Sequence, residues 1–402
     1  MIPADLYASP NALAPHYSRF RVSERLLLTG HSHQAWPDVG FEGQQQAWLD
    51  AAEHADDKWE PAFAMADRCR RGWARLLDDA PGRIALGAST HDLLVRWLSA
   101  LPLRERPRIV TTDGEYHSAR RQLDRLAEEG IDVVKVPHLP ASEVAPRIAS
   151  SVNDRTAAVV VSAVFYQNAH IVPGLADVMR ACRTAGAELL VDAYHALNAI
   201  PFTLGAHGLT DAFVTGGGYK YCQLGEGNGF LRIPEGCTMR PVVTGWYSEF
   251  TGLAEPTRPG VPYGEGPDRF AGATYDPTSH YRAARVFDFF REQGLAPEVL
   301  RDVSRHQVAT LAAAFDALDL DPGMIARDRD TDLDGVGGFL ALRTPRAAEL
   351  QRALRERGVR TDHRGELLRF GPAPYLTDGQ LRAAMGALGA VVREVRGAAP
   401  QS

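Results

Sequence analysis

Lysine is nearly missing from this chain: of its 44 basic residues only three, Lys58, Lys135 and Lys220, carry an amine, and the rest are arginine. A guanidinium stays protonated and cannot form a Schiff base, so a position that must supply a free amine cannot be arginine. Cysteine is scarce too. Cys69, Cys182, Cys222 and Cys237 show no C-x-x-C spacing, which excludes a disulfide framework and a zinc site and leaves reduced thiols. No run of eighteen apolar residues occurs, and Met1-Ile2-Pro3-Ala4-Asp5 is not a basic start followed by an apolar stretch, so a cytoplasmic protein without a membrane span is expected. With a net charge of -6 and no basic tract, a nucleic-acid surface is excluded as well. Nor is there a G-x-x-x-x-G-K-[ST] phosphate loop, an internal repeat or a low-complexity segment. Small-molecule chemistry is what remains.

The 402 residues, 45% hydrophobic and 23% charged, suffice for a large domain and a smaller one. Residues 1–60 read as a proline-interrupted arm followed by a helix to about residue 55. Residues 61–290 alternate helical patterns with short apolar runs at 108–112, 133–134, 157–164, 188–191 and 212–215. That alternation predicts an α/β domain with a mostly parallel sheet. Ala157 to Val164 has no polar alternation, as befits a central strand buried on both faces. Residues 291–402 read as a small α/β domain. Two amphipathic helices, 281–293 and 302–318, lead into strands at 338–342, near 359 and at 367–370, with helices at 346–357 and 377–395. The Gly- and Pro-rich stretch from 252 to 267 is expected as a long loop of the kind that lines a site.

Lys220 stands in Gly216-Gly217-Gly218-Tyr219-Lys220-Tyr221. A surface lysine in a glycine turn is the plain alternative, and its weight depends on what surrounds it. Asp192, in Val191-Asp192-Ala193-Tyr194-His195, ends one predicted strand 28 residues earlier, and the strand at 212–215 leads to Lys220. Loops at the carboxyl ends of parallel strands share one rim, so Asp192 and Lys220 can face the same crevice. Gly87-Ala88-Ser89-Thr90 opens an amphipathic helix, which supplies hydroxyls and free amides to an anion or, more simply, a helix cap. Tyr116 follows a third strand and offers a flat ring, although taken alone it would be a packing residue. An amine, an anion, phosphate donors and a stacking ring are the four requirements of pyridoxal 5'-phosphate. The histidines His31, His33, His117 and His195 show no metal spacing.

In order, Gly30-His31-Ser32, Ser89-Thr90, Glu115-Tyr116-His117-Ser118, Asp192-Ala193-Tyr194-His195, Tyr219-Lys220-Tyr221, Gly245-Trp246-Tyr247, the run from Arg269 to Thr274 and Arg369-Phe370-Gly371 resemble the class V enzymes of the fold type I pyridoxal-phosphate architecture, kynureninase above all. The resemblance implies that Lys220 holds the cofactor covalently, Asp192 pairs with its ring nitrogen and Tyr116 stacks on its face. It places His195, Tyr219 and Trp246 around the cofactor near the phosphate and sends Thr274 to the phosphate of a neighbouring subunit, so that a homodimer shares its sites. Arg369 would grip the substrate α-carboxylate, with Ser32 nearby and Arg364 as a second candidate. The activity implied is hydrolytic cleavage of a β–γ carbon bond, giving L-alanine and an aromatic acid. A class V aminotransferase or a carbon–sulfur lyase is the alternative, and a non-catalytic ligand-binding protein of the same fold a further one. A desulfurase would need a mobile acceptor cysteine, for which Cys222 and Cys237 are poorly placed. Departures from the kynureninase pattern fall at Gly30-His31-Ser32-His33-Gln34, at Tyr247-Ser248-Glu249-Phe250 and after Thr274.

Overall fold

A computed structural model describes residues 3–253 and 259–397. The chain begins with β1 (Leu26–Leu27) and two long helices, α1 (Asp38–His54) and α2 (Trp59–Leu77). A large sheet follows from β2 (Ile84–Gly87), β3 (Arg108–Thr112), β4 (Asp132–Val136), β5 (Thr156–Ser162), β6 (Glu188–Asp192), β7 (Phe213–Gly217) and β8 (Gly229–Arg232). Helices α3 (Thr90–Ser99), α4 (His117–Glu128), α5 (Val144–Ser151) and α6 (Leu175–Ala185) lie between its strands.

The strand order is β2-β8-β7-β6-β5-β3-β4, and β8 alone runs against its neighbours. Alternation along each strand sends side chains to opposite faces. Val159, Val161 and Val191 accordingly join one apolar cluster, while Ala158, Val160 and Leu190 join another across the sheet. All of β5 is buried, as its unbroken apolar run requires. The antiparallel β8 was not foreseen, because Gly229-Phe230-Leu231-Arg232 is short and opens on a glycine, which strands disfavour. Its direction follows from the short connection after β7, which reverses the chain where a parallel return would need a full crossover.

Two helices, α7 (Thr278–Glu292) and α8 (Pro297–Asp316), then lead to the small sheet. The second starts earlier than its apolar period suggested, because Pro297 takes the first helical turn after the extended Ala296. The remaining elements are β9 (Ala326–Arg327), β10 (Leu340–Arg343), α9 (Ala347–Glu356), β11 (Val359–Arg360), β12 (Asp362–Arg364), β13 (Leu367–Phe370) and α10 (Asp378–Gly397). Four of these strands form an antiparallel sheet in the order β12-β13-β10-β9. Polar β12 escaped the apolar pattern. The opening segment joins the other end of the chain: β1 pairs with β11, and Thr29 bridges to Gly371. Of the loop expected at 252–267, residues 254–258 lie outside the described residues. Among the described residues no helix is long and apolar enough to cross a membrane.

Candidate active site

The carboxyl ends of β2, β3, β5, β6 and β7 open on one crevice of about 220 Å³. This is where an open α/β sheet binds its ligands, because the connections leaving neighbouring strands part there. From β2 come Ala88, Ser89 and Thr90, from β3 Tyr116, from β5 Ser162 and Tyr166, and from β6 Asp192, Tyr194 and His195. The connection after β7 brings Tyr219 and Lys220.

Lys220 is 5% exposed, and its Nζ stands 2.8 Å from His195 Nε2. Three tyrosine rings surround the amine, with centroids at 4.2 Å for Tyr194, 5.1 Å for Tyr116 and 5.7 Å for Tyr219. Burial lowers the Lys220 pKa to about 7, opposed by the charge of Asp192 and reinforced by those of Arg369 and Arg364. The amine is therefore largely neutral just above neutral pH, the form a nucleophile needs. Burial, with the positive charge of Lys220, also drives His195 well below the usual imidazole range.

Asp192 ends β6 with Oδ1 accepting from the Tyr194 amide at 2.8 Å. Burial raises its pKa, while that hydrogen bond and the Lys220 charge pull the other way. Ser162 lies beside it in register on β5. The Ser162 hydroxyl donates to Glu115 Oε2 at 2.5 Å, and Thr112 donates to Glu115 Oε1 at 2.7 Å. Burial pushes Glu115 up to about 7 against those hydrogen bonds, with Asp192 adding like-charge repulsion. A second, deeper carboxyl thus stands behind the first.

At the other end of the crevice Ser89 caps α3, its Oγ accepting from the Asp92 amide at 3.1 Å. Thr90 Oγ1 donates to the Gly216 carbonyl at 3.0 Å. Both hydroxyls thus hold the helix in place, as the cap reading has it. The first amides of α3 still have no intrahelical partner, so the positive end of the helix can receive an anion. Gly229 allows this close approach: a Cβ there would come 2.6 Å from the Ser89 carbonyl carbon.

The residues fit pyridoxal 5'-phosphate. An amine, a buried carboxylate, a flat ring and a helix N-terminus line one crevice, and two of its buried polar atoms, His195 Nδ1 and Asn228 Oδ1, have no partner among the described residues. No family model matches the chain. Curated proteins do resemble it along most of its length. An uncharacterized aminotransferase of Bacillus subtilis (strain 168), YcbU, is 22% identical over 354 residues, and the isopenicillin N epimerase of Streptomyces clavuligerus is 26% identical over 377. Each alignment covers 86% of this chain and 89% of the other protein. Among solved structures, C-DES with glycine covalently linked to its PLP cofactor superposes with a TM-score of 0.82 at 17% identity, over 93% of this chain and 98% of its own. The same protein, a cystine C–S lyase with its product cysteine persulfide, gives 0.79 at 17% identity, over 92% and 98%. The fold is fold type I. At the level of sequence the chain is similar to class V aminotransferase-like proteins, and none of these three relatives is a kynureninase.

The crevice brings together seven of the residues expected from the sequence: Ser89, Thr90, Tyr116, Asp192, His195, Tyr219 and Lys220. His195 contacts the lysine, whereas the resemblance put it near the phosphate. Ser32 lies outside the crevice with its hydroxyl 3.2 Å from His33 Nδ1, and His33 stacks on Tyr219 at 4.7 Å. Trp246 is also outside it, 44% exposed against Tyr247 and Phe250. Thr274 lines a second cavity of about 730 Å³ that shares Ala88, Glu226 and Gly227 with the first. Arg369 is buried behind the crevice wall, its Nη1 donating to the Tyr166 carbonyl. Tyr194, Ser162 and Glu115 were not singled out from the sequence. Ser162 had a readable signal, since it is the one polar residue within the apolar run from Ala157 to Val164, at the end of β5.

Proposed function

We propose that this chain is a pyridoxal-phosphate-dependent enzyme acting on a small amino acid, an aminotransferase of the class V kind, working as a homodimer. One observation carries the reading: a buried, neutral-leaning Lys220 amine faces Asp192, the Tyr116 ring and the N-terminus of α3 across a single crevice. The similarity to an aminotransferase over 354 residues supports the class.

Bound here, pyridoxal 5'-phosphate would supply an aldehyde carbon for the amine and a ring that accepts the electron pair released at the substrate α-carbon. The chain's own residues divide the remaining work. Asp192 would keep a proton on the ring nitrogen, which a nearby carboxylate favours. The amides opening α3 would hold the phosphate, and Tyr116 would offer its ring to the cofactor. Lys220 Nζ would hold the cofactor at its aldehyde carbon and would serve as the base that moves a proton at the substrate α-carbon. His195 Nε2, at 2.8 Å, keeps Nζ directed into the crevice.

A cysteine-independent carbon–sulfur lyase is the second reading, favoured by the superposition on a cystine C–S lyase. Relay of sulfur through a thiolate is disfavoured. Burial raises all four thiols, Cys69 and Cys182 to about 12, and three of them are buried. The kynureninase-like hydrolysis is the third reading, resting on the sequence resemblance alone.

The test is to load the protein with pyridoxal 5'-phosphate, reduce it with borohydride and map the modified residue by mass spectrometry. Lys220 should carry the label, and Lys220→Ala should carry none. L-alanine, L-cystine and L-kynurenine are then supplied with and without 2-oxoglutarate. Glutamate formed only with the keto acid supports an aminotransferase. Pyruvate with persulfide indicates the lyase, and L-alanine with an aromatic acid from L-kynurenine the hydrolase. A covalently labelled Lys220→Ala protein would overturn the site.

A further inference from the structure

Arg369, the arginine expected to receive the substrate carboxylate, already holds one. Asp362 Oδ1 accepts from Arg369 Nε at 2.9 Å and Oδ2 from Nη2 at 2.5 Å, a two-point fork of the kind a guanidinium offers to any carboxylate. The two side chains are 3% and 15% exposed. His31 Nε2 binds Asp362 Oδ1 at 2.7 Å, and its buried ring packs on Phe339 at 4.5 Å. Burial would raise Asp362, but the bonds to His31 and Arg369 outweigh it and hold the carboxyl well below the usual range. To seat a substrate on this fork, Asp362 would have to leave both partners. That would strand a largely buried charge without its partners, which is strongly unfavourable.

Arg364 is less fully engaged, with one nitrogen on the edge of the same carboxylate. Asp362 and Arg364 are two apart on β12 and point to one face of the small sheet, and Arg369 stands directly across from Asp362 on β13. This face turns to the crevice, because Arg369 bonds the carbonyl of Tyr166, a wall residue. At the hairpin tip the Arg364 side chain is 38% exposed, with Nη1 donating to the His363 carbonyl at 2.7 Å and 3.4 Å from Asp362 Oδ2. Its Nε and Nη2 have no partner among the described residues. Asp362 neutralises Arg369, and burial keeps His31 uncharged with a pKa of about 4. Arg364 adds a second positive charge to this face, and both arginines are felt at Lys220, His195 and His117.

We infer that Arg364, and not the internally paired Arg369, takes the carboxylate of the incoming substrate. This rests on the pyridoxal-phosphate reading, and the experiment separates the two. Holoenzyme, Arg364→Gln, Arg369→Gln and the double variant Arg364→Gln/Asp362→Asn are first checked for labelled Lys220, and a wild type that takes no label ends the cofactor reading before any substrate is added. Absorbance of the bound cofactor is then titrated with L-alanine, L-cysteine and L-kynurenine, and with ethylamine, cysteamine and kynuramine, which lack the carboxylate. Arg364→Gln should weaken the amino acids about 30-fold or more and leave the amines unchanged. The double variant, with Arg369 released, should recover part of that loss. Labelled Arg364→Gln that binds the amino acids like wild type overturns the inference, most plainly if Arg369→Gln alone loses them. A wild type that answers acids and amines equally, or answers neither, overturns it as well.

Discussion

At the scale of the residue, burial decides the chemistry. An exposed lysine titrates near 10.4, while Lys220 is brought to about 7 by removal from water. Lowering the pKa of a base enlarges its neutral fraction at every pH above the new value, so the sign is fixed: uptake of the aldehyde should be slow below pH 7 and rise through it. Stopped-flow absorbance of apoprotein mixed with pyridoxal 5'-phosphate should show the rate levelling off by about pH 8, whereas an unperturbed lysine would keep gaining to about pH 10. A rate still climbing at pH 9.5 would show that the amine is not desolvated. Scarcity made Lys220 legible in the sequence, and Asp192 was legible from its place at a strand end. The commitment of Arg369 was not, since Asp362 becomes its partner only through hairpin register and His31 reaches Asp362 from 331 positions away.

At the scale of the element, the reading followed hydrophobic period and failed where there was none. β5 and β13 were recognisable from apolar runs, while β8 and β12 are too short or too polar to show one. Yet β8 carries Gly229 to the start of α3. A methyl group at this position would meet Ser89 backbone, which cannot swing aside as a side-chain tip can. Gly229→Ala should therefore displace the helix N-terminus, destabilise the fold by about 1–3 kcal/mol and weaken cofactor binding at least tenfold. Urea unfolding and equilibrium dialysis read the two effects. Unchanged cofactor affinity would mean that the first turn of α3 holds no phosphate.

At the scale of the whole molecule, one stretch of surface is out of keeping with a monomer. Val242, Val243, Trp246, Phe250, Leu253 and Val261 are exposed apolar side chains within a single segment, Val242 to 81%. This segment borders the second cavity, where Tyr247 and Thr274 meet residues shared with the crevice. On the homodimer reading proposed above, a second copy of the chain would cover it, and light scattering should give twice 43.8 kDa. Val242→Asp with Leu253→Asp should yield a folded monomer with little activity. A wild-type monomer of full activity would refute the shared site. No periodicity could have foretold this face, because exposure of apolar residues is set by what the fold leaves uncovered.

The scarcity of amines gives the chain a built-in gauge. Lys58 and Lys135 lie outside the crevice, so a protease that cuts only after lysine would release four pieces from the unfolded chain. Once Nζ of Lys220 is blocked by a reduced cofactor, residues 136–220 and 221–402 stay joined. The ratio of two bands on a gel then reports what fraction of the molecules were loaded.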